Sequence, residues 1–275
     1  MYRFESKRAF GRSFFIAIGI GCVIALCDFL FSCKPMIKNM MDMVNLTGTG
    51  RELMEKTDYS ISVWECFMGF RMSPLSYTYS FVMPLLCAFA YNGTYVKDRN
   101  GYLSEIAGRT SIREYAACKM IFGFVTAGCI AVAPLILNFV ICMCVFPVVK
   151  PVSSVGRFSV LYVSVLDKMF YGNTFLYLII YMIFIFIFYG LLNCTYVLGC
   201  RAENNNLIAF ILPFGVYYIT NAVCIWIFND SSLSPMVYTY FPTFYKSAAV
   251  CVLLEMMVLV LADFVGYMRI ITGDN

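Results

Sequence analysis

The sequence predicts an all-α integral membrane protein with six transmembrane helices. Of its 275 residues, 61% are hydrophobic and only 13% are charged, and the mean hydropathy is +0.78. Soluble domains are roughly 45–50% apolar and about 25% charged, so this composition argues strongly against a water-soluble domain. The apolar residues are also clustered, since 175–197 and 204–229 carry no charge. Each run is longer than the roughly 20 residues that a helix needs to cross a bilayer.

Uncharged runs divide the chain into six candidate spans within a single transmembrane domain, residues 1–275. The first span follows four basic residues, and its apolar run extends too far, without a small-residue cleavage site, for a signal peptide. We therefore expect it to be retained. The predicted spans are about 14–33, 76–96, 117–146, 174–198, 206–228 and 247–267.

The lysines and arginines between the spans predict the orientation. With the N-terminus inside, the inner segments carry ten of these residues, and outer segments nearly twice as long carry nine. Basic segments favour the cytoplasmic side, so both termini are predicted to be cytoplasmic. The inner segments are 1–13, 97–116, 199–205 and 268–275, and the outer ones are 34–75, 147–173 and 229–246.

Residues 1–13 alternate aromatic and basic side chains, which fits an interfacial amphipathic helix on the inner leaflet. A simple basic topology anchor explains the same pattern equally well. In the first span, Ala17, Gly21 and Ala25 recur every fourth residue. Such a stripe lets helix backbones approach closely and predicts a helix–helix contact, within this chain or with a second copy.

Residue counts exclude several classes of function. The chain has no histidine, which removes Ser/His/Asp triads, His-based zinc sites and His proton relays. It also has no P-loop, so any ATP energy must come from another polypeptide. No dense basic block with interleaved aromatics suggests nucleic acid binding. No cofactor or metal site is predicted.

The thirteen cysteines do not form a disulfide framework, since the number is odd and most lie in apolar runs. Reduced membrane cysteines are the preferred interpretation. A bridge between Cys33 and Cys66 on the outer side remains geometrically conceivable.

Two outer segments combine charges with aromatic side chains. In 34–75, Trp64, Phe67 and Phe70 follow at helical spacing, which predicts short amphipathic helices on the outer interface. In 229–246, two prolines and five aromatics indicate a re-entrant or interfacial hairpin, because aromatics favour the headgroup level.

The segment 97–116, between the second and third spans, is the most informative. Tyr102, Leu103 and Ile106 give a short helix with one apolar face, between natural stops at Gly101 and Gly108. Ser111 can then cap the next helix, with Glu114 three residues later. A short cytoplasmic helix of this kind suits docking into a groove on a soluble partner. The spacing fits a helix lying on the inner leaflet as well.

In this segment and in its layout of spans, the chain resembles the membrane subunits of ABC-2-type bacterial transporters. The six-span layout and the basic N-terminus agree with that family over the whole chain, and the loop motif agrees over about 22 residues. A proline-type turn of the family is replaced by Thr110-Ser111. The loop positions that carry the resemblance are Asp98, Arg99, Gly101, Leu103, Ile106, Ser111, Arg113, Tyr115 and Lys119.

The resemblance implies an export permease without catalysis of its own, in the bacterial cell membrane. Two permease subunits would face each other, each resting on a separate cytoplasmic ABC ATPase, with 99–109 as the coupling helix. Whether the second permease is identical or merely similar stays open, and so does the substrate. The residues expected to couple to the ATPase are Arg99, Gly101, Tyr102, Leu103, Glu105, Ile106, Arg109 and Arg113.

Three acidic residues lie within the apolar spans, where an ionised carboxylate costs about 2.5–3.5 kcal/mol. Asp28 and Glu255 fall at similar depth in the outer half. They are candidates for a translocation path, for pairing with Lys34 or Lys246 at the outer rim, or for staying protonated. Asp263 lies nearer the inner interface, where solvation is the simpler expectation. An ATP-independent carrier or channel that uses Asp28 and Glu255 is the alternative function.

Overall fold

The structure, a computed structural model, describes residues 2–38, 62–101, 111–151, 164–199, 206–240 and 244–272. Within these ranges every extended regular element is a helix, and an isolated antiparallel bridge pairs Ser164 with Tyr245. The helices are α1 Tyr2–Ala9, α2 Arg12–Asp28, α3 Val63–Cys66, α4 Pro74–Tyr91, α5 Gly93–Gly101, α6 Ile112–Val145, α7 Asp167–Gly172, α8 Thr174–Cys194, α9 Tyr196–Gly199, α10 Asn206–Trp226, α11 Pro235–Tyr238 and α12 Ala249–Thr272. A π-helical turn, Phe29–Cys33, continues α2, and a 3-10 turn covers Ser231–Leu233.

Five helices of the described chain are long and apolar enough to cross a membrane, which supports an all-α, multi-pass membrane protein. They are Tyr2–Lys38, Ile112–Val145, Thr174–Gly199, Leu207–Trp226 and Ala249–Thr272. The second predicted span, 76–96, falls on α4, which is 18 residues long. Serine, threonine and tyrosine in its first half make α4 less apolar than the other five.

The small-residue stripe of the first helix packs inside this chain. Ala17 and Ala25 are fully buried, and α2 contacts α4 and α6. A Cβ added at Gly21 would lie 2.6 Å from Cγ of Pro134 in α6 and 3.1 Å from Cε of Met83 in α4. A larger side chain at this position would therefore separate the helices.

The long helix α6 contacts most of the other long helices of the bundle. Its 34 residues extend about 50 Å at 1.5 Å per residue, and it contacts α2, α4, α8 and α12. Lipid replaces water around such a bundle, so large apolar side chains remain exposed on its perimeter. On α12 these include Val250, Leu253, Leu254, Met257, Val258, Leu261 and Phe264.

The aromatic residues before α4 lie inside the bundle rather than on an interface. Trp64 is 1% exposed and Phe67 is fully buried. Both rings contact the ring of Phe139 in α6, and the indole N–H of Trp64 donates to the Val149 carbonyl at 3.0 Å. Interfacial helices were expected here. Instead, the aromatic rings of this segment pack against one another between α6 and α8. Residues 51–56, which carry four of the charges of the 34–75 segment, lie outside the described residues.

The segment before α12 also turns inward. Tyr238 is fully buried and Tyr240 is 4% exposed, and Ser80 of α4 donates a hydrogen bond to the Tyr240 hydroxyl at 3.2 Å. Tyr238 and Tyr240 therefore pack inside the bundle, where both hydroxyls have hydrogen-bond partners.

Candidate functional site at the base of the 97–116 segment

The structure describes the two ends of the 97–116 segment. Helix α5 enters it and ends at Gly101, and α6 begins at Ile112. Arg99 and Gly101 lie in the last turn of α5, and Arg113 is exposed in the first turn of α6. The other residues predicted to couple to an ATPase lie outside the described residues: Tyr102, Leu103, Glu105, Ile106 and Arg109.

The predicted cap at Ser111 is confirmed. The Ser111 hydroxyl accepts a hydrogen bond from the Glu114 backbone N–H at 3.3 Å, as an N-cap does. The cap fixes the point at which the segment passes into α6.

A buried charge cluster of Glu5, Arg8, Asp98 and Lys119 lies beneath this segment. Lys119 of α6 is fully buried, and its Nζ lies 3.0 Å from Oε2 of Glu5 and 2.8 Å from Oδ2 of Asp98. Glu5 belongs to α1 and Asp98 to α5. One ammonium group therefore joins three helices that are far apart in the sequence.

Arg8 closes the cluster from its more exposed side. Its Nη2 donates to Oδ1 of Asp98 at 2.8 Å and its Nη1 donates to Oδ2 at 3.0 Å, a two-pronged contact. The same Nη1 donates to Oε1 of Glu5 at 3.1 Å. The fixed fork of the guanidinium matches a carboxylate, so this contact holds α1 against α5 in one orientation.

Hydroxyl groups satisfy the remaining polar atoms of the charge cluster. Tyr91 donates to Oε2 of Glu5 at 2.6 Å, and Tyr115 donates to Oδ2 of Asp98 at 3.2 Å. The Lys119 ammonium also donates to the Thr94 hydroxyl at 3.1 Å and lies 5.0 Å from the centroid of the Tyr91 ring. Full pairing matters because breaking one side of a buried ion pair leaves an uncompensated charge.

The charge cluster contains two acids and two bases, so it is neutral as a unit. Burial alone raises the pKa of Asp98, but hydrogen bonds from Arg8 and Lys119 and their charges outweigh burial and lower it. Burial alone lowers the pKa of Arg8, and the hydrogen bond and charge of Asp98, with the charge of Glu5, reverse this and raise it. Asp98 and Arg8 are therefore both ionised at neutral pH.

Sequence reasoning did not identify this cluster. Asp98 and Lys119 were noted as positions in the loop motif, and Glu5 was not singled out. Two signals were available. Lys119 lies seven residues inside the helix that begins at Ile112, where a basic side chain needs a partner, and Glu5 is the lone acid among the basic residues of 1–13.

At the other end of the first helix, Asp28 is paired rather than free. Oδ2 of Asp28 accepts from Nη2 of Arg71 at 2.9 Å, and Oδ1 accepts from the hydroxyls of Ser73 at 2.6 Å and Ser32 at 3.2 Å. The sequence offers Lys34 or Lys246 as the ion partner of this acid, and the structure pairs it instead with Arg71, just before α4.

The other two acids are on α12. Glu255 is half-buried and accepts a hydrogen bond from the Tyr238 hydroxyl. Asp263 is 8% exposed, and its Oδ1 has no hydrogen-bond partner within the described chain. Asp263 is thus buried against the bundle, in contrast to the solvation expected near the inner interface. Asp28 and Glu255 are held by different partners.

A small cavity inside the bundle is lined mainly by side chains that carry hydroxyls. It lies between α4, α6, α8 and the segment after α11, and its lining includes Ser76, Ser80, Tyr79, Tyr181, Tyr189 and Tyr240. The Tyr189 hydroxyl is buried and has no partner among the described residues. Neither Asp28 nor Glu255 lines this cavity.

No group of three or more potential metal ligands occurs in the described part of the chain. Comparison of the chain with family models, with curated proteins and with solved structures finds no match. The family resemblance therefore rests on the sequence features alone.

Proposed function

We propose that this chain is the membrane-spanning permease subunit of an ATP-driven exporter of the ABC-2 type. The proposal includes six spans with both termini in the cytoplasm, and a location in the bacterial cell membrane. A separate cytoplasmic ATPase supplies the energy, and a second permease subunit, identical or similar, completes the transporter. The multi-pass helical architecture and the absence of a P-loop support this division of labour.

The observation that carries the proposal is the buried charge cluster at the base of the 97–116 segment. An ATPase that pushes this segment acts on α5 and on the start of α6, which flank it. Because Lys119 binds both Glu5 and Asp98, a displacement of α5 is passed to α1 and α6 together. Helix α6 in turn contacts four other long helices, so the displacement reaches the rest of the bundle.

This arrangement answers a mechanical requirement of such a transporter. A loop that moved freely would absorb the displacement without moving the spans. Buried ion pairs with full hydrogen bonding resist separation, because an unpaired charge in a low dielectric costs several kcal/mol. The three helices therefore move as one unit.

The ATP-independent alternative is less well supported, since the Asp28 carboxylate is already neutralised by Arg71.

The test is capture of the full-length chain in mild detergent, with mass spectrometry of what comes with it. We expect a soluble protein that carries a P-loop. Leu103→Asp or Ile106→Asp should abolish its capture and leave membrane insertion intact, because each places a charge on the predicted apolar docking face. Ser104→Asp is the matched control, since it adds the same charge beside that face.

Capture of no ATPase by the unaltered chain would contradict the proposal, as would equal capture by Leu103→Asp and Ser104→Asp. An ATP-independent carrier predicts a different pattern. In that case flux continues without ATP and is lost in Glu255→Ala.

A further inference from the structure

One face of helix α1 carries positive charge only. Glu5, the single acid of residues 2–13, is fully buried, and its Oε2 lies 3.0 Å from Nζ of Lys119 in α6. Arg3 and Lys7 are exposed. Because they are four residues apart, they share one face of the helix, and that face lies opposite Glu5. The burial of Glu5 therefore leaves the outer face of α1 without an acid.

A third exposed base follows at the start of α2. The Gly11 backbone between the two helices is extended, with φ −82° and ψ −170°, so α1 does not run straight into α2. Arg12 comes next and is exposed. Within the described ranges, no ion pair includes Arg3, Lys7 or Arg12. We call these three residues the basic face.

Exposed aromatic rings border the basic face. Phe4 is 61% exposed and Phe10 is 39% exposed. A soluble anion is attracted by the charges alone, whereas a lipid headgroup brings acyl chains that apolar rings can contact. Rings beside cations are typical of helices that lie at a membrane interface. The combination favours a lipid over a soluble anion as the ligand.

The buried side of α1 is fixed to the end of the bundle where α2 and α6 begin. Helix α1 contacts α4 and α6, and Glu5 reaches Lys119, seven residues after the first residue of α6. Seven residues correspond to about 10 Å of helix, so α1 lies level with the first two turns of a candidate span. The basic face is thus presented from a fixed support, which lowers the entropy cost of binding.

The acids near α1 do not cancel the charge of the basic face. Glu114 is exposed in the first turn of α6, and Arg113 beside it is exposed as well. The Asp98 carboxylate is already bound by Arg8 and Lys119. An anion that approaches α1 therefore meets a surplus of positive charge.

We infer that the basic face binds the phosphate-bearing headgroups of anionic phospholipids. The arginine guanidinium groups offer paired N–H donors to phosphate oxygens, and the Lys7 ammonium adds a compact charge. Each basic side chain near an anionic lipid surface strengthens binding by about fivefold. The inference goes beyond the proposed function, since it concerns the lipid around the first helix and not the energy source.

The experiment uses the full-length chain in mild detergent. Phosphatidylglycerol or phosphatidylcholine with the same acyl chains is added, and native mass spectrometry counts the lipids that the chain retains. We expect preferential retention of phosphatidylglycerol. Arg3→Gln with Lys7→Gln should weaken it by about 25-fold, because two basic side chains are lost. Equal retention of the two lipids by the unaltered chain would overturn the inference.

A matched control removes the same charge from the other end of the first helix. Lys34 and Lys38 are exposed there, and Lys34→Gln with Lys38→Gln should leave the retention of phosphatidylglycerol unchanged. An equal loss in both double variants would mean that net charge decides, and the basic face would be refuted. Because Arg3 and Lys7 are exposed, their replacement should leave the unfolding midpoint in detergent alone unchanged.

Soluble anions test the source of the phosphate. Inorganic phosphate or glycerol 3-phosphate in large excess should not displace phosphatidylglycerol, because neither offers acyl chains to the rings. Full displacement by either would assign the basic face to a soluble anion and overturn the inference. None of these measurements needs an ATPase or a transported substrate, so their failure would leave the proposed function intact.

Discussion

The first helix has a buried ion network at each of its two ends. The two networks differ in the helices that they connect. The charge cluster at its start shares two acids and two bases among α1, α5 and α6. The Asp28–Arg71 pair at its end joins the first helix to the residues just before α4, with serine hydroxyls in support. About 24 Å of helix separates Arg12 from Asp28.

The need to neutralise a buried carboxylate is met in two different ways at the two ends of the helix. Both networks neutralise carboxylates that lie out of water, which is necessary wherever an acid is buried. The charge cluster is built around a fully buried lysine with acids on two other helices, so it ties three helices together. The Asp28–Arg71 pair is smaller and keeps some exposure, with 17% of the Arg71 side chain accessible. It holds the residues just before α4 against the end of the first helix.

The largest effect is expected from removing the shared cation of the charge cluster. Lys119→Met leaves Glu5 and Asp98 facing one another with only Arg8 between them, and should lower the free energy of unfolding by about 3–5 kcal/mol. SDS titration in mixed micelles measures the change. Lys97→Met is the matched control, because Lys97 is exposed beside Asp98 and its loss should change stability by less than about 0.5 kcal/mol.

A second substitution tests whether the loss comes from charge rather than packing. Adding Glu5→Gln to Lys119→Met should recover part of the stability, since one of the two unpaired carboxylates is removed. Strictly additive losses would mean that the four charged groups do not act together.

A smaller effect is expected at the other end of the first helix. Asp28→Asn leaves the Arg71 guanidinium without its ion partner and should cost about 1–3 kcal/mol by the same titration. The partial exposure of Arg71 limits the loss. Lys34→Gln serves as the control, because the exposed Lys34 is the nearest alternative cation in the sequence. A larger loss of stability for Lys34→Gln than for Asp28→Asn would contradict the pairing of Asp28 with Arg71.

Acid should weaken the charge cluster through Asp98. Because its pKa is lowered in the folded chain, its contribution is complete above its ordinary value of 3.8. The contribution is lost as the pH falls through the lower, folded value. The contribution of Asp98 to the thermal unfolding temperature in detergent should therefore be nearly constant from neutral pH to about pH 5 and decline below about pH 4. Asp98→Asn should remove part of that decline, and an identical acid profile in the two proteins would contradict the assignment.

The smallest effect is expected at a surface pair. Lys246 lies 3.3 Å from Asp167, but 56% of its side chain is exposed. Water and salt screen such pairs, so Lys246→Met should leave the unfolding midpoint unchanged. A loss similar to that of Lys119→Met would mean that burial does not set the energy of these networks.

Much of the helical framework follows from local sequence properties. The predicted spans 14–33, 117–146 and 206–228 agree within a few residues with the helices that the structure shows. The Ser111 cap and the contact made by the Ala17–Gly21–Ala25 stripe also agree. Such features depend on residues near in sequence, where hydropathy and capping chemistry act directly.

The candidate site was less accessible to sequence reasoning. Glu5 and Lys119 are 114 residues apart, and nothing local marks them as partners. Cys33 and Cys66 are likewise brought together only by packing. Trp64 has the spacing of an interfacial residue, yet the gap between α6 and α8 accepts its ring.

The sequence by itself determined that this chain is a helical membrane protein without histidine chemistry or a nucleotide loop of its own. Composition and run length suffice for that, because the hydrocarbon of a bilayer selects long apolar helices whatever their arrangement. Only the tertiary structure decided which charges are paired. A buried charge is stable only beside a partner, and contact between distant helices supplies that partner.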